Sequence, residues 1–335
     1  MKQTITTIGE ALIDFIPEQR DCPLKEVTTF YRVCGGAPTN VAAAIGKLGG
    51  KARMITQVGN DAFGDYIVDQ LEKCGIDTES ICRTDAANTA LAFVSLKTDG
   101  NRDFSFYRKP SADMLMEPEQ LQPAWLEDTA VLHFGSVSLV ESPMKQTHVR
   151  AIQLAKEQGA VISFDPNIRL PLFPSAEACQ AAVREFLPYV DLLKVSDEEL
   201  EFVTGETDIQ NAAPLLFEQG CKMILYSKGK QGAMLLTPQV VCTEPNPKVK
   251  VKDTTGAGDA ICGAFLYCLG KNGITPENLN QQPAGKLQKW LRYAVYYANY
   301  SVTGSGAITS YPDDETFQRW LRTFDSFIAV RKNEL

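Results

Sequence analysis

Asp253-Thr254-Thr255-Gly256-Ala257-Gly258-Asp259-Ala260 is the stretch around which this chain is organised. Its two glycines leave backbone N–H groups uncovered, so an anion can approach them closely. An apolar-periodic run follows at once in Ile261, Ala264, Phe265 and Leu269. The glycines therefore open a helix whose positive end faces that anion. Asp259 stands in the first turn. A carboxylate there either complements the helix dipole, which is all an isolated Gly-x-Gly-Asp requires, or has a proton to remove.

Working outward, the chain alternates apolar strand patterns with helical ones. Strands are predicted at 5–8, 54–58, 131–134, 161–165, 192–195 and 223–227, and helices at 63–74, 144–158, 176–187, 197–203, 211–219, 286–303 and 315–330. This alternation implies βαβ units, hence an α/β fold with a doubly wound, mostly parallel sheet and helices on both faces. The first strand reads as ending at Gly9-Glu10 and continuing through Leu12-Ile13-Asp14-Phe15. Residues 232–245 read as a hairpin, and 249–251 as an edge strand leading into the opening motif. Two segments, about 15–34 and 89–110, carry strand patterns outside this series, the second with a turn at Asp99-Gly100-Asn101 and alternating Phe104 and Phe106. They are expected to pair as a small β-sheet lid that closes over the site. Residues 1–335 read as one domain, without repeat or linker.

Bulk properties narrow the function. The net charge of −8 argues against nucleic acid or an anionic membrane surface as partner. No apolar run reaches the roughly 18–20 residues of a membrane span, and the N-terminus lacks a signal-peptide core. Nine scattered cysteines without a Cys-x-x-Cys pair suit a reducing cytosol, so a cytoplasmic protein is expected. With only His133 and His148 present, a histidine metal centre or a Ser-His-Asp triad is not expected.

In doubly wound sheets ligands sit beyond the carboxyl ends of the strands. Asp14, Gly35-Gly36, Asp165-Asn167-Arg169, Ser196-Glu199, Lys228-Gly229 and Gly256–Asp259 all follow predicted strands. A backbone anion cradle beside a carboxylate suits phosphoryl transfer to an alcohol, where a base takes the hydroxyl proton and donors spread the phosphoryl charge. Neither a Gly-x-x-x-x-Gly-Lys phosphate loop nor a His-Arg-Asp with Asp-Phe-Gly occurs in the chain, so phosphate would be held by another device.

These residues resemble a known family. The stretch 253–260 is similar to the C-terminal signature of the ribokinase-like (PfkB) carbohydrate kinases. Gly35-Gly36-Ala37-Pro38-Thr39-Asn40-Val41-Ala42, through Leu48-Gly49-Gly50, resembles their N-terminal one. Gly9–Asp14, Phe106–Asp113 and Asp165–Arg169 look most like fructokinases. The resemblance implies a ribokinase-like fold and an ATP- and Mg²⁺-dependent kinase acting on a hydroxyl of D-fructose, a primary one being the least hindered. Aminoimidazole riboside kinase, 2-keto-3-deoxygluconate kinase and ribokinase are the close rivals within the class. A non-catalytic sugar-binding relative would not need both the base and the glycines.

It also implies residue roles. Asp259 would be the base, with the N–H groups of Gly256, Ala257 and Gly258 as anion hole. Asp14, Gly35, Gly36, Asn40, Phe106, Arg108 and Arg169 would face the sugar. Asp14 could equally cap a turn and Asn40 a helix; Arg108 could be a solvated lid residue. Lys194, Ser196, Ser227, Lys228, Gly229 and Gly232 would serve the nucleotide. Glu199 would organise Mg²⁺ through water, although Ser196 stands where the family has Asn, and Ser196-Asp197-Glu198 also reads as a helix N-cap. Asp253, Thr255, Ser301, Gly304, Gly306 and Ser310 would form a monovalent-cation site for K⁺; without the family the loop is a helix C-cap and turn. A homodimer through the lid is expected.

Overall fold

The computed structural model describes residues 2–19, 21–96 and 102–324. The chain begins with β1 (Thr4–Ile8), then β2 (Leu12–Pro17), β3 (Phe30–Gly35), α1 (Ala37–Lys47), β4 (Ala52–Gly59), α2 (Ala62–Lys73) and the short β5 (Ile76–Asp77) and β6 (Ile81–Thr84). It continues with β7 (Ala90–Leu96), β8 (Arg102–Tyr107), β9 (Thr129–Gly135), α3 (Pro143–Glu157), β10 (Val161–Asp165) and α4 (Ala176–Phe186). Then come β11 (Leu192–Ser196), α5 (Asp197–Thr204), α6 (Ile209–Glu218), β12 (Met223–Ser227) and the hairpin β13 (Ala233–Leu236) and β14 (Val241–Glu244). Three helices close the described chain: α7 (Ala257–Lys271), α8 (Ala284–Ser301) and α9 (Asp314–Leu321).

The main sheet runs β14-β13-β12-β11-β10-β9-β1-β4-β5, with β6 also on β4. It is parallel from β12 through β6, and only β13 and β14 run antiparallel. Strands buried on both faces need apolar residues at consecutive positions, and these strands have them. Ile5, Val131, Val161, Leu192 and Met223 point into a core shared with α1, α2, α7, α8 and α9. Their sequence neighbours Leu132, Ile162, Leu193 and Ile224 point to the other face, against α3–α6. The chain leaves β1 toward β4 on one side and takes up β9 on the other, so the reversal of strand order falls between β1 and β9. Crevices form at such a point.

A second sheet of order β3-β2-β7-β8 stands apart from the first. It corrects the reading of Leu12–Phe15 as a continuation of the first strand: β2 pairs with β3 antiparallel and β7 parallel, in the smaller sheet. The chain turns at Gly9–Ala11, where the buried Glu10 takes hydrogen bonds from Ala37 N and Ser138 Oγ. The expected edge strand at 249–251 does not form. Pro245 and Pro247 precede it without N–H donors, Val251 is left exposed, and the next amides, Lys252 and Asp253, donate to the Val302 carbonyl instead. The turn at Asp99-Gly100-Asn101, the side chain of Phe104 and residues 325–330 of the last predicted helix lie outside the described residues. Among the described residues, no helix is long and apolar enough to cross a membrane.

Candidate active site

Two adjoining cavities open at the carboxyl ends of β1, β10 and β11. The larger, about 730 Å³, lies under the lid sheet. Its polar wall includes Glu10, Asp14, Asn40 and Arg169, and its roof includes Leu12, Ile16, Val94 and Phe106 from the lid strands. The smaller, about 400 Å³, is walled by Lys194, Ser196, Glu198, Glu199 and Gly258. Asn167, Ile168, Arg169, Glu198, Thr254, Gly256 and Asp259 line both.

Asp259 thus stands between the two chambers. Helix α7 begins at Gly256, which has φ 71° and ψ 9°. A side chain there would meet Ala307 Cβ at 2.5 Å and Tyr311 Oη at 2.6 Å, so the tight entry requires glycine. The helix start leaves amides without intrahelical partners. The Ala257 amide, however, donates to the Thr254 carbonyl at 3.2 Å, and Ala257 lines neither cavity. Of the three expected anion donors, Gly256 and Gly258 reach the walls.

Asn40, on α1, donates from Nδ2 to Asp259 Oδ2 at 2.8 Å, and Asn167 Nδ2 lies 3.5 Å from Oδ1. Burial pushes the Asp259 carboxyl above its ordinary value, against the Asn40 hydrogen bond and the charges of Lys194 and Arg169. A raised pKa suits a carboxylate that must accept a proton near neutrality. Asn40 is not a helix N-cap, since α1 starts at Ala37 behind Gly36. Its Oδ1 is buried without a partner among the described residues. An orphaned acceptor on the wall of a polar cavity fits a hydroxylated ligand.

Close approach explains the N-terminal glycines. A Cβ on Gly36 would run into the Glu10 carbonyl, and one on Gly35 into the Asp14 carboxylate. Gly36 therefore lets α1 start at the cavity wall, while Gly35 leaves room for Asp14 on β2, which faces the cavity. Phe106 on β8 joins the roof.

On the second chamber, Lys194 lies buried with Nζ 3.0 Å from Asp165 Oδ2, alongside Gly258. Burial opposes the ammonium charge, but Asp165 and Glu199 outweigh it and raise its pKa. Burial pushes Asp165 up to about 7 against the pull of Lys194, so the ammonium is the firmer charge of the pair. Glu199 Oε2 accepts from the Ser196 amide at 3.1 Å and hydroxyl at 2.7 Å, and Oε1 accepts from the Ile168 amide at 2.9 Å. Ser196 and Glu199 are thus the capping box of α5. Burial would raise Glu199, but Lys194 and these hydrogen bonds hold it below the ordinary carboxylate range. Glu199 keeps acceptor capacity for water. Among the described residues no group of three or more His, Cys, Asp or Glu could hold a metal. The donor set fits Mg²⁺ held by substrate phosphates and water rather than by a protein cage.

The expected cation loop comes together behind α7. Asp253 Oδ1 accepts from Thr255 N and Oγ1, and Oδ2 from the Gly306 amide at 2.8 Å. Gly304 packs on Ser310 and near the Ser301 carbonyl. The Ser301 and Ser310 hydroxyls donate to Ala298 and Ala307 carbonyls, which leaves their oxygen lone pairs for a cation such as K⁺.

Several expected residues stand elsewhere. Arg108 is buried, not solvated. It pairs with Asp113 and donates to the Val137 carbonyl at 3.2 Å, behind the cavity wall rather than on it. Ser227 ends β12, and Lys228, Gly229 and Gly232 form the turn that follows it. Ser227 is in register with Ser196, so the turn shares that end of the sheet, yet none of the four lines either cavity. His133 and His148 are buried in the core, where burial lowers them to about 3 and about 4. Sequence reasoning gave no role to Glu10, Thr254 or Tyr311, whose hydroxyl donates to the Gly256 carbonyl at 2.8 Å. Asn167 carried a signal, its place in the Asp-Pro-Asn turn after β10, and its positive φ of 43° aims it between the chambers.

The architecture is shared with solved kinases. A fructokinase from Xylella fastidiosa with bound ATP superposes with TM-score 0.88 at 32% identity, covering 96% of this chain and 99% of that one. An aminoimidazole riboside kinase from Salmonella enterica, complexed with its riboside and an ATP analogue, gives 0.80 at 25% identity, over 95% and 99%. In sequence, fructokinase-2 of Solanum lycopersicum is 39% identical over 309 residues, 92% of this chain and 93% of that protein. The fold is therefore that of the ribokinase-like kinases. Residues 2–314 match the pfkB family of carbohydrate kinases, and the chain belongs to that family.

Proposed function

We propose that this carbohydrate kinase transfers the γ-phosphoryl group of ATP to a primary hydroxyl of D-fructose. The observation that carries the reading is the position of Asp259, a buried carboxylate on the wall of both chambers and bonded to Asn40. The lid-side chamber takes the sugar and the Lys194 side takes the phosphates. Asp14 and Asn40 bind sugar hydroxyls, and Arg169, which lines both chambers, meets the charge between them. Asp259 accepts the proton as the hydroxyl oxygen attacks. The amides of Gly256 and Gly258 and the helix dipole hold the transferring charge. Glu199 would hold Mg²⁺ through water, where the ion would supply charge to the phosphate oxygens, and the loop of Asp253 and Gly306 would hold K⁺. Names of relatives at 39% identity support fructose over the other sugars. A second copy of this chain would pair through the exposed face of the lid sheet.

A substrate panel and one substitution test this. kcat/KM for fructose exceeds that for aminoimidazole riboside, 2-keto-3-deoxygluconate and ribose; a reversed order removes fructose. Asp259→Asn lowers kcat by about 10²–10⁴, the usual worth of a general base, while fructose still binds. Near-normal turnover in that variant removes Asp259 from the chemistry.

A further inference from the structure

The last turn of α1 carries a lysine whose charge is used far from its own helix. A lysine in that place ordinarily faces water and complements the helix dipole. Lys47 instead donates to the Ile308 carbonyl at 2.7 Å and the Tyr311 carbonyl at 2.8 Å. It grips the 3₁₀ turn Ile308–Ser310 from both ends.

That turn supports the start of α7. Tyr311 Oη donates to the Gly256 carbonyl at 2.8 Å. Ala307 fills the space that a Gly256 side chain would need. The Gly306 amide donates to Asp253 Oδ2. Both residues that bracket the entry to α7, Asp253 and Gly256, therefore lean on the segment 306–311. The other end of α1 carries Asn40 on the Asp259 carboxylate at 2.8 Å. The contacts close a ring: α7 to Asn40, along α1 to Lys47, across to Ile308 and Tyr311, and back to Gly256.

We infer that Lys47 is a positioning residue for phosphoryl transfer: by clamping the 306–311 segment to the far end of α1, it holds the first turn of α7, and the Asp259 carboxylate on it, in place against α1. The inference rests on the proposed reading of the first turn of α7 as the reacting turn. Lys47 touches neither cavity of that site, so it acts only through Tyr311 and Gly256. It faces a separate cavity of about 610 Å³, which it lines with Lys73, Cys74, Ser310 and Asp313. Shortening or neutralising the side chain therefore leaves space that is already open, rather than a new hole in the core.

The test compares Lys47→Met, Lys47→Arg and Tyr311→Phe by steady-state kinetics with ATP and fructose, and by calorimetric fructose binding. Misplacement of reacting groups by about 1 Å can cost about 100-fold in rate. Lys47→Met is therefore expected to lower kcat at least about tenfold, with KM and fructose affinity within about threefold. Lys47→Arg, which can still donate to both carbonyls, recovers most of the rate. Lys47→Met with parental kcat, arginine and methionine variants equally impaired, or KM and kcat worsening together would each overturn the inference. If Lys47→Met does not fold, Tyr311→Phe decides, because it removes only the hydroxyl on Gly256: a kcat-selective loss supports the ring and a parental kcat defeats it. Asp259→Asn in the same assays separates the two readings. Parental turnover there defeats the reacting-turn reading itself; collapse there with parental turnover in Lys47→Met defeats only the role of Lys47.

Discussion

Gly256 and Gly205 have nearly the same backbone conformation, and substituting each by alanine separates backbone strain from crowding at the start of α7. Gly256 has φ 71° and ψ 9°, and Gly205, the C-cap of α5, has φ 85° and ψ −1°. A Cβ in the left-handed region costs about 1–2 kcal/mol, partly offset by about 0.4–1 kcal/mol because alanine restricts the unfolded chain. At Gly205 the new Cβ has nothing within 4 Å, so Gly205→Ala is destabilised by only about 1 kcal/mol. At Gly256 it meets Ala307 Cβ at 2.5 Å, well inside the ordinary carbon contact of about 3.5–4.0 Å. Overpacking of this kind costs a further 1–3 kcal/mol or so.

The backbone contributions cancel between the two variants, and the difference of about 1–3 kcal/mol belongs to the contact with Ala307 and Tyr311. Urea unfolding measures it, provided the slope is unchanged so that the midpoint reports stability. Activity should separate the two as well. The crowded turn can relieve itself only by moving the first turn of α7, so Gly256→Ala lowers kcat at least about tenfold by displacing reacting groups. Gly205→Ala does not. Equal stability losses would show that the tight entry at Gly256 is not set by its neighbours. A strongly destabilised Gly256→Ala enzyme with parental kcat would show that this turn does not position the reaction.

The Asn40 hydrogen bond favours the charged form of Asp259, whereas burial opposes it. Removing the donor in Asn40→Ala leaves burial less opposed and raises the carboxyl further. The acid limb of the kcat–pH profile, already above the ordinary aspartate value of about 3.9, therefore moves to higher pH; an unmoved or more acidic limb contradicts the pairing. Asp61 caps α2 by accepting from Phe63 and Gly64 amides, and it also accepts from Thr89 N and Oγ1 at the root of lid strand β7. Asp61→Ala is expected to cost about 2–4 kcal/mol, a lost cap together with an orphaned amide. Burial would raise Asp61, but its hydrogen bonds lower it. Its contribution is therefore complete above the unfolded carboxyl pKa and is lost as pH falls through the lower folded value. A parent-minus-variant difference that grew in acid would contradict this.

The main sheet was legible because its strands are buried on both faces and carry continuous apolar runs, such as Met223–Tyr226, bounded by turns and helix caps. The lid was legible as a small sheet made by the two segments, but not in where its first strand begins. Leu12–Pro17 is as apolar as the strand before it, and nothing local marks its transfer to another sheet; β3 and β7 on either side decide that. Val249–Val251 shows the converse error. Its alternation has the period of a strand, yet the chain there docks on the end of α8. In the site, the residues beside glycine signatures were readable because close approach restricts what can stand there. Ser196 and Glu199 supported two readings; the structure shows the helix capping box, which stands on the wall of the second chamber. Arg108 read as a sugar ligand or a solvated lid residue because a sequence does not reveal that Asp113, five residues on, encloses it.

Asn40 joins the two ends of the chain in one chemical unit. It is 219 residues from Asp259, and its amide donor is already committed to the carboxylate. Its Oδ1 is buried without a partner among the described residues, and an unsatisfied buried acceptor costs about 1–3 kcal/mol. A substrate hydroxyl that donates to Oδ1 relieves that cost and anchors the sugar at this wall, which leaves a neighbouring hydroxyl free to donate to Asp259, the proposed base. The same contact discriminates, because a sugar lacking that hydroxyl leaves the acceptor unpaired. Sites built in this way reject deoxy analogues far more strongly than a missing methylene would allow. On the proposed reading, binding and selection at this wall would come from one asparagine, oriented by the carboxylate it bonds.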